Sequence, residues 1–103
     1  MDILAELLAT IEARKAASPD ESYTAQLLAE PSLAFKKLGE EATETIIAGL
    51  GQDRAALAQE AADLLYHLLV ALAARDVAWA DVLAVLKARQ GQSGLAEKAA
   101  RKK

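Results

Sequence analysis

The short stretch "GLGQD", residues 49–53, most constrains how this 103-residue chain can fold. Its glycines provide an exit for one helix, and Asp53 is a typical N-cap for the next. The stretch therefore predicts that one helix ends near Gly49 and that another spans about residues 54–75. Because the turn between them is short, the two helices should run antiparallel as a hairpin.

Composition and apolar spacing predict further helices and no strands. Ala and Leu dominate, aromatic content is 4%, and only two prolines and five glycines interrupt the chain. These features favour helix over sheet, and the length suits one domain. We expect an all-α fold of four to five helices, with Ser22 capping the second helix, Pro31 breaking the chain and Ser32 capping the third. The predicted helices span about residues 2–17, 22–29, 32–49, 54–75 and 79–89.

Several classes of protein are disfavoured by composition and charge. The chain has no cysteine, which excludes disulfides and thiolate metal sites. A net charge of −3 gives no general attraction for nucleic acid. The longest apolar stretch, residues 64–74, is too short to span a bilayer, and no secretory leader is recognisable. We expect a soluble cytoplasmic protein with no nucleic-acid or membrane partner, its domain at residues 1–90 and a basic, mobile tail at 91–103.

Acidic residues form two matched pairs across the predicted hairpin. Residues of an antiparallel hairpin lie at the same height when their numbers share a sum set by the turn. The numbers of Glu44 and Glu60 add to the same sum as those of Glu41 and Asp63, so each of these pairs lies at one height. On each helix the two acidic residues are three positions apart and therefore lie on one face. The four carboxylates should converge if these faces meet, with Glu40 close enough to join them.

Convergent carboxylates repel one another unless a cation neutralises them. No lysine or arginine lies between Leu38 and Asp53 to do so. Hard oxygen ligands favour Mg²⁺ or Mn²⁺ over Zn²⁺. Since protein-bound Mg²⁺ commonly completes its shell with phosphate, the pattern indicates phosphate chemistry. The alternative is a solvated acidic helix face that binds no metal.

Four sequence stretches carry a family resemblance. "EEATE", followed after fifteen residues by "EAAD", is similar to the E-E-x-x-E … E-x-x-D signature of the all-α nucleotide pyrophosphohydrolases. The stretches "ESYTAQLL" at 21–28, "KKLGEEATETIIA" at 36–48 and "EAADLLYHLLVAL" at 60–72 resemble more specifically the phosphoribosyl-ATP pyrophosphohydrolase family of histidine biosynthesis. The similarity runs from about residue 4 to residue 89.

The resemblance implies a reaction and roles for the acidic residues. It implies Mg²⁺-dependent release of pyrophosphate from phosphoribosyl-ATP, a small-molecule nucleotide substrate, leaving phosphoribosyl-AMP. Glu40 would be an auxiliary ligand or water-orienting base, so that Glu40, Glu41 and Glu44 are the catalytic candidates. The metal ligands would be Glu41, Glu44, Glu60 and Asp63. Two alternatives stay open: a house-cleaning enzyme that hydrolyses free nucleoside triphosphates, and a non-catalytic helical dimerisation module.

Other polar residues are candidates for substrate binding, each with a structural alternative. Lys36 and Lys37 either bind phosphate or pair with the glutamates that follow them. The hydroxyls of the Ser22–Tyr23–Thr24 segment lie at a helix start, where N–H groups favour anions, or simply cap the helix. Arg14 either reaches a phosphate or caps carbonyls. His67 shares the stripe of Glu60 and Asp63 and is either catalytic or a satisfied core residue.

The fourth helix is apolar on more than one face. Its apolar residues include Leu64, Leu65, Leu68, Leu69, Val70 and Leu72. A helix that is hydrophobic nearly all round is buried on several sides, and few other helices are available to cover this one. We therefore expect a homodimer, as the resemblance also implies, with a site that could draw residues from both subunits.

Overall fold

The computed structural model describes residues 2–91 and residue 101 of the chain. The described residues contain five α-helices and no strand, so the all-α prediction is confirmed. The predicted tail at 91–103 lies outside the described residues except for Gly91 and Arg101. The helices are α1 (Ile3–Arg14), α2 (Tyr23–Ala29), α3 (Pro31–Gly51), α4 (Arg54–Ala74) and α5 (Trp79–Arg89).

Side-chain caps set the starts of three helices. Asp2, Ser22 and Asp53 each accept a hydrogen bond from the backbone N–H three residues later, at 2.7, 3.1 and 2.8 Å. Such bonds satisfy N–H groups that have no partner within the helix. The caps predicted at Ser22 and Asp53 are therefore present.

Three predicted helix boundaries are wrong. α1 ends at Arg14, because the N–H groups of Lys15 and Ala16 bond only three residues back and tighten the chain into a turn. α3 begins at Pro31, so Ser32 does not cap it. Proline fits the first helical position, where its missing N–H costs no hydrogen bond. α3 also continues to Gly51, where the extended Gln52 ends it.

The long helices α3 and α4, 21 residues each, form the predicted hairpin. α2 packs against both of them, and α1 packs against α2 and α4. The apolar core therefore lies around the carboxyl-terminal half of α4, with Leu27 and Val70 fully buried. Its buried residues are Ile11, Leu27, Ala34, Leu69, Val70 and Ala71.

α4 is more apolar than the stretch 64–74 suggests. Its 21 residues would suffice, by length and composition alone, for a membrane span. The core helix of a soluble bundle has the same features. Here α4 packs against α1, α2 and α3, and its amino-terminal half carries Glu60 and Asp63. This arrangement is that of a core helix.

Candidate metal centre

Three carboxylates from the two hairpin helices meet at one point. One carboxylate oxygen from each of Glu41 on α3 and Glu60 and Asp63 on α4 lies within 4.8 Å of the others. The antiparallel packing of α3 and α4 thus brings together side chains that are up to 22 residues apart in sequence. The expected convergence of four carboxylates is thus present for three of them, and Glu44 lies outside the group that meets within 4.8 Å.

The Glu44 carboxylate affects two members of this group through its charge. Burial raises the pKa of the Glu41 carboxyl, and the neighbouring Glu44 carboxylate raises it further. The same two causes, in the same order, raise the pKa of Glu60. Asp63 adds to both increases, so the charges of Glu44 and Asp63 act on both Glu41 and Glu60. We refer to Glu41, Glu44, Glu60 and Asp63 as the carboxylate cluster.

The cluster fits a hard divalent cation. Glu41 Oε2 and Glu60 Oε2 are buried and have no hydrogen-bond partner among the described residues. A buried, unpaired carboxylate oxygen is costly unless a proton or a cation compensates it. Four carboxylates in one place would supply oxygen ligands only, which suits Mg²⁺ or Mn²⁺.

Glu40 lies outside the group that meets within 4.8 Å. Its side chain is 46% exposed, and its Oε2 lies 3.3 Å from Nζ of Lys37 on the same helix. The pairing alternative for Lys37 is therefore present, with the partner three residues later on α3. Lys36 is exposed on the first half of α3. Both lysines remain near the amino-terminal side of the cluster.

His67 connects α4 to the start of α2. Its Nδ1 lies 2.8 Å from the carbonyl oxygen of Asp63, and its Nε2 lies 3.3 Å from the Tyr23 hydroxyl. Because a carbonyl can only accept, Nδ1 donates, and in the neutral imidazole Nε2 then accepts from the Tyr23 hydroxyl. With 8% exposure and both nitrogens bonded, His67 has the contacts of a satisfied core residue.

Each of the three hydroxyl groups in the segment Ser22–Tyr23–Thr24 makes a hydrogen bond within the protein. Ser22 caps α2, Tyr23 bonds His67, and the Thr24 hydroxyl bonds that of Tyr66. Burial raises the pKa of the Tyr23 phenol, nearby Lys37 lowers it, and Glu41 and Glu40 raise it to a smaller extent. Tyr23, the first residue of α2, is therefore close enough to Lys37 and Glu41 for their charges to act on its phenol.

Arg14 lies near the start of α2. It is the last residue of α1, and it lines a shallow depression with Ala17, Glu21 and Ser22. Its guanidinium group is thus placed beside the start of α2 and is not part of the cluster.

Two residues of this region carry contacts that the sequence analysis missed. Tyr66 holds Thr24, and Thr45 lies 2.8 Å from the carbonyl oxygen of Glu41 and 3.1 Å from that of Glu60. The hairpin register contained a signal for Thr45, since it places Thr45 within one residue of the level of Glu60. The sequence contained no such signal for Tyr66, because its partner Thr24 lies on another helix.

An all-α hairpin with E-E-x-x-E and E-x-x-D carboxylates on facing helices defines the class of all-α nucleotide pyrophosphohydrolases. A model of the family described as phosphoribosyl-ATP pyrophosphohydrolase matches residues 4–90. The chain belongs to the phosphoribosyl-ATP pyrophosphohydrolase family.

Curated relatives match almost the full length of the chain. A phosphoribosyl-ATP pyrophosphatase of Ruegeria pomeroyi is 64% identical over 104 residues, covering 100% of this chain and 99% of the relative. Proteins of the same name from Cereibacter sphaeroides and Dinoroseobacter shibae are 62% and 61% identical, each over 98% of this chain and 99% and 100% of the relative. The likeness therefore extends over the whole domain.

Proposed function

We propose that this protein hydrolyses phosphoribosyl-ATP to phosphoribosyl-AMP and pyrophosphate, the second step of histidine biosynthesis, at the carboxylate cluster. The reaction follows from the family, whose model covers residues 4–90, and from relatives named for this activity at about 60% identity. The observation that supports the location of the site is the pair of buried, unpaired oxygens, Glu41 Oε2 and Glu60 Oε2.

The four residues of the carboxylate cluster would hold Mg²⁺, for which Mn²⁺ can substitute because it also prefers oxygen ligands. When bound, the ion supplies positive charge that neutralises phosphate oxygens and the departing pyrophosphate. The cluster itself provides a concentrated negative site between two rigid helices. This location keeps the ligand side chains on elements whose separation is set by packing.

Residues around the cluster would orient the reactants. Glu40 lies beside Glu41 with its carboxylate half-exposed, so it can orient a water molecule and accept its proton as that water attacks phosphorus. The bridging oxygen then leaves with pyrophosphate, and no covalent intermediate with the protein is required. Lys37 pairs with Glu40 and can exchange that partner for a phosphate oxygen, and Lys36 adds a second positive charge.

On the other side of the site, the segment at the start of α2 would contact the substrate. Tyr23 lies near Lys37 and Glu41, and its hydroxyl is anchored by His67. Arg14 and Ser22 line one depression and offer a guanidinium group and a hydroxyl to a phosphate. This segment would therefore bind the part of the nucleotide that does not react.

Incubation of the protein with phosphoribosyl-ATP and Mg²⁺, followed by identification of the products, tests this function. Equal amounts of pyrophosphate and phosphoribosyl-AMP are expected. Orthophosphate as the product, or full activity in excess chelator, would contradict the proposal. Faster pyrophosphate release from dCTP or dUTP would favour a house-cleaning enzyme, and no hydrolysis of any nucleotide would favour a dimerisation module.

We also propose that the active protein is a homodimer. Large apolar side chains are exposed on α3, α4 and α5, and Leu50 is 86% exposed. Contiguous exposed apolar surface commonly marks an interface, and a symmetric pair of identical chains covers it most simply. Leu69 and Val70 of α4 are buried in the chain's own core, so the partner would contact mainly other residues. These are Ile46, Ile47, Leu50, Leu57, Leu65, Leu83, Val85 and Leu86.

The family is one of soluble biosynthetic enzymes, and we place this member in the cytoplasm. The lack of cysteine agrees with a reducing compartment, where disulfides are rare. A net charge of −3 gives no general attraction for nucleic acid.

A further inference from the structure

Thr45 makes a contact between the two helices that carry the carboxylate cluster. Its Oγ1 lies 2.8 Å from the carbonyl oxygen of Glu41, four residues earlier on α3. That bond is common for threonine within a helix. Oγ1 also lies 3.1 Å from the carbonyl oxygen of Glu60 on α4. This second contact joins α3 to α4.

The two acceptor carbonyls belong to two residues of the cluster itself. A hydroxyl has one hydrogen, so the two bonds share it or alternate. Oγ1 can remain close to both oxygens only while α3 and α4 keep one separation and one register. The side chains of Glu41 and Glu60 start from the Cα atoms next to these carbonyls. The same separation therefore sets the distance between their carboxylates.

Not every residue at this level helps to hold the helices at that distance. Ile46 and Ile47, which follow Thr45, are 62% and 54% exposed and so contribute little packing between the helices. The like charges of the cluster push α3 and α4 apart. A hydrogen bond across the helix pair opposes this repulsion at the height where it acts.

We propose that Thr45 is a positioning residue that holds α3 and α4 at the separation at which the carboxylate cluster binds one divalent cation. The inference rests on the proposed metal site, and it gives Thr45 no contact with the reacting atoms. Its hydroxyl acts through the backbone of Glu41 and Glu60. Metal affinity should therefore depend on this hydroxyl even though Thr45 is not a ligand.

Thr45→Val tests the proposal, because valine keeps the shape of threonine and removes the hydroxyl. Thr45→Ser restores the hydroxyl. Thr43→Val is a matched control, since the Thr43 hydroxyl lies 3.0 Å from the carbonyl oxygen of Gly39 and bonds only within α3. Mn²⁺ affinity, measured by electron paramagnetic resonance of the free ion, is the main readout. The Mg²⁺ concentration for half-maximal pyrophosphate release and the melting temperature are measured beside it.

Thr45→Val should weaken Mn²⁺ binding about 3- to 10-fold, the equivalent of one hydrogen bond. The Mg²⁺ requirement should rise in parallel, while Thr45→Ser and Thr43→Val should stay within about twofold of wild type. Thr45→Ala is a second hydroxyl-free variant for the case that the valine variant does not fold.

Unchanged Mn²⁺ affinity in a folded hydroxyl-free variant would overturn the inference, even with a lower melting temperature, because the hydroxyl would then serve the fold alone. A wild-type protein that binds Mn²⁺ but releases no pyrophosphate from phosphoribosyl-ATP would refute the proposed reaction, and the affinities would still decide the role of Thr45. A wild-type protein that binds no Mn²⁺ would overturn the metal site and this inference together.

Discussion

Replacing Glu44 with glutamine distinguishes a metal site from a solvated acidic face by its effect on stability. After burial, the Glu44 carboxylate is the next cause that raises the pKa values of Glu41 and Glu60. In the absence of a cation, the folded hairpin must hold these charges together, whereas the unfolded chain separates them. Glu44 should therefore oppose folding in chelator.

The size of this effect follows from the position of Glu44. Glutamine keeps the shape of the side chain and a carbonyl oxygen but removes the charge. Because Glu44 is exposed, solvent screens much of the repulsion, and we expect a gain in unfolding free energy of about 0.5 to 1 kcal/mol. For a domain of this length, Glu44→Gln should then melt roughly 2 to 8 °C above wild type in chelator.

Magnesium should reduce or reverse the difference in melting temperature between Glu44→Gln and wild type. A ligand that binds only the folded state stabilises wild type by about 2.7 kcal/mol at roughly 100 times its dissociation constant. The variant lacks one of the proposed ligands and should gain less. Its hydrolysis of phosphoribosyl-ATP should fall by at least about two orders of magnitude, since the site would no longer hold its ion in place.

Thermal melts in chelator and in millimolar Mg²⁺, together with pyrophosphate release, measure these effects. Glu6→Gln is the matched control, because it removes the same charge from the exposed first turn of α1. It should not raise the melting temperature in chelator, and it should respond to Mg²⁺ as wild type does. Equal Mg²⁺ shifts in wild type and Glu44→Gln, with hydrolysis retained, would show that Glu44 is not a ligand.

Three further predictions concern pH, the tail and assembly. The pKa values of Glu41 and Glu60 are higher in the folded protein than their ordinary value of 4.5, so the folded protein binds protons more tightly than the unfolded chain does. The free energy of unfolding should therefore fall as the pH rises from 4.5 through the raised pKa values. In chelator the melting temperature should thus increase as the pH is lowered from neutral towards the ordinary value of 4.5, and a flat profile would refute this. A chain ending at Gln90 should fold and melt as the full chain does, since the helical apolar pattern ends there; precipitation would show that the tail packs on the domain. Sedimentation should show a dimer for wild type and a folded monomer for Leu50→Asp. Leu69→Asp and Leu68→Asp should instead unfold the protein, because Leu69 is 2% exposed in the chain's own core and Leu68 is partly buried. A stable wild-type monomer would contradict the dimer.

The sequence by itself determined the order of the helices and the height of the acidic residues. Helix starts depend on local bonds, such as that from the N–H of Ala56 to Asp53, so they are readable from neighbours in the chain. The short turn sets which residues of α3 and α4 lie level with each other. That is why the spacing of Glu41 and Glu44 relative to Glu60 and Asp63 predicted that the carboxylates would meet if the two helix faces looked at each other.

Only the tertiary structure decided which way each helix face turns and which groups pair across helices. Spacing along one helix leaves its rotation about its axis undetermined, and the packing of α1 and α2 against α4 sets that rotation. This packing directs both nitrogens of His67 to partners and places the Thr45 hydroxyl between two carbonyls. It also leaves Leu50 in solvent, because the core needs only some of the apolar residues that the sequence supplies.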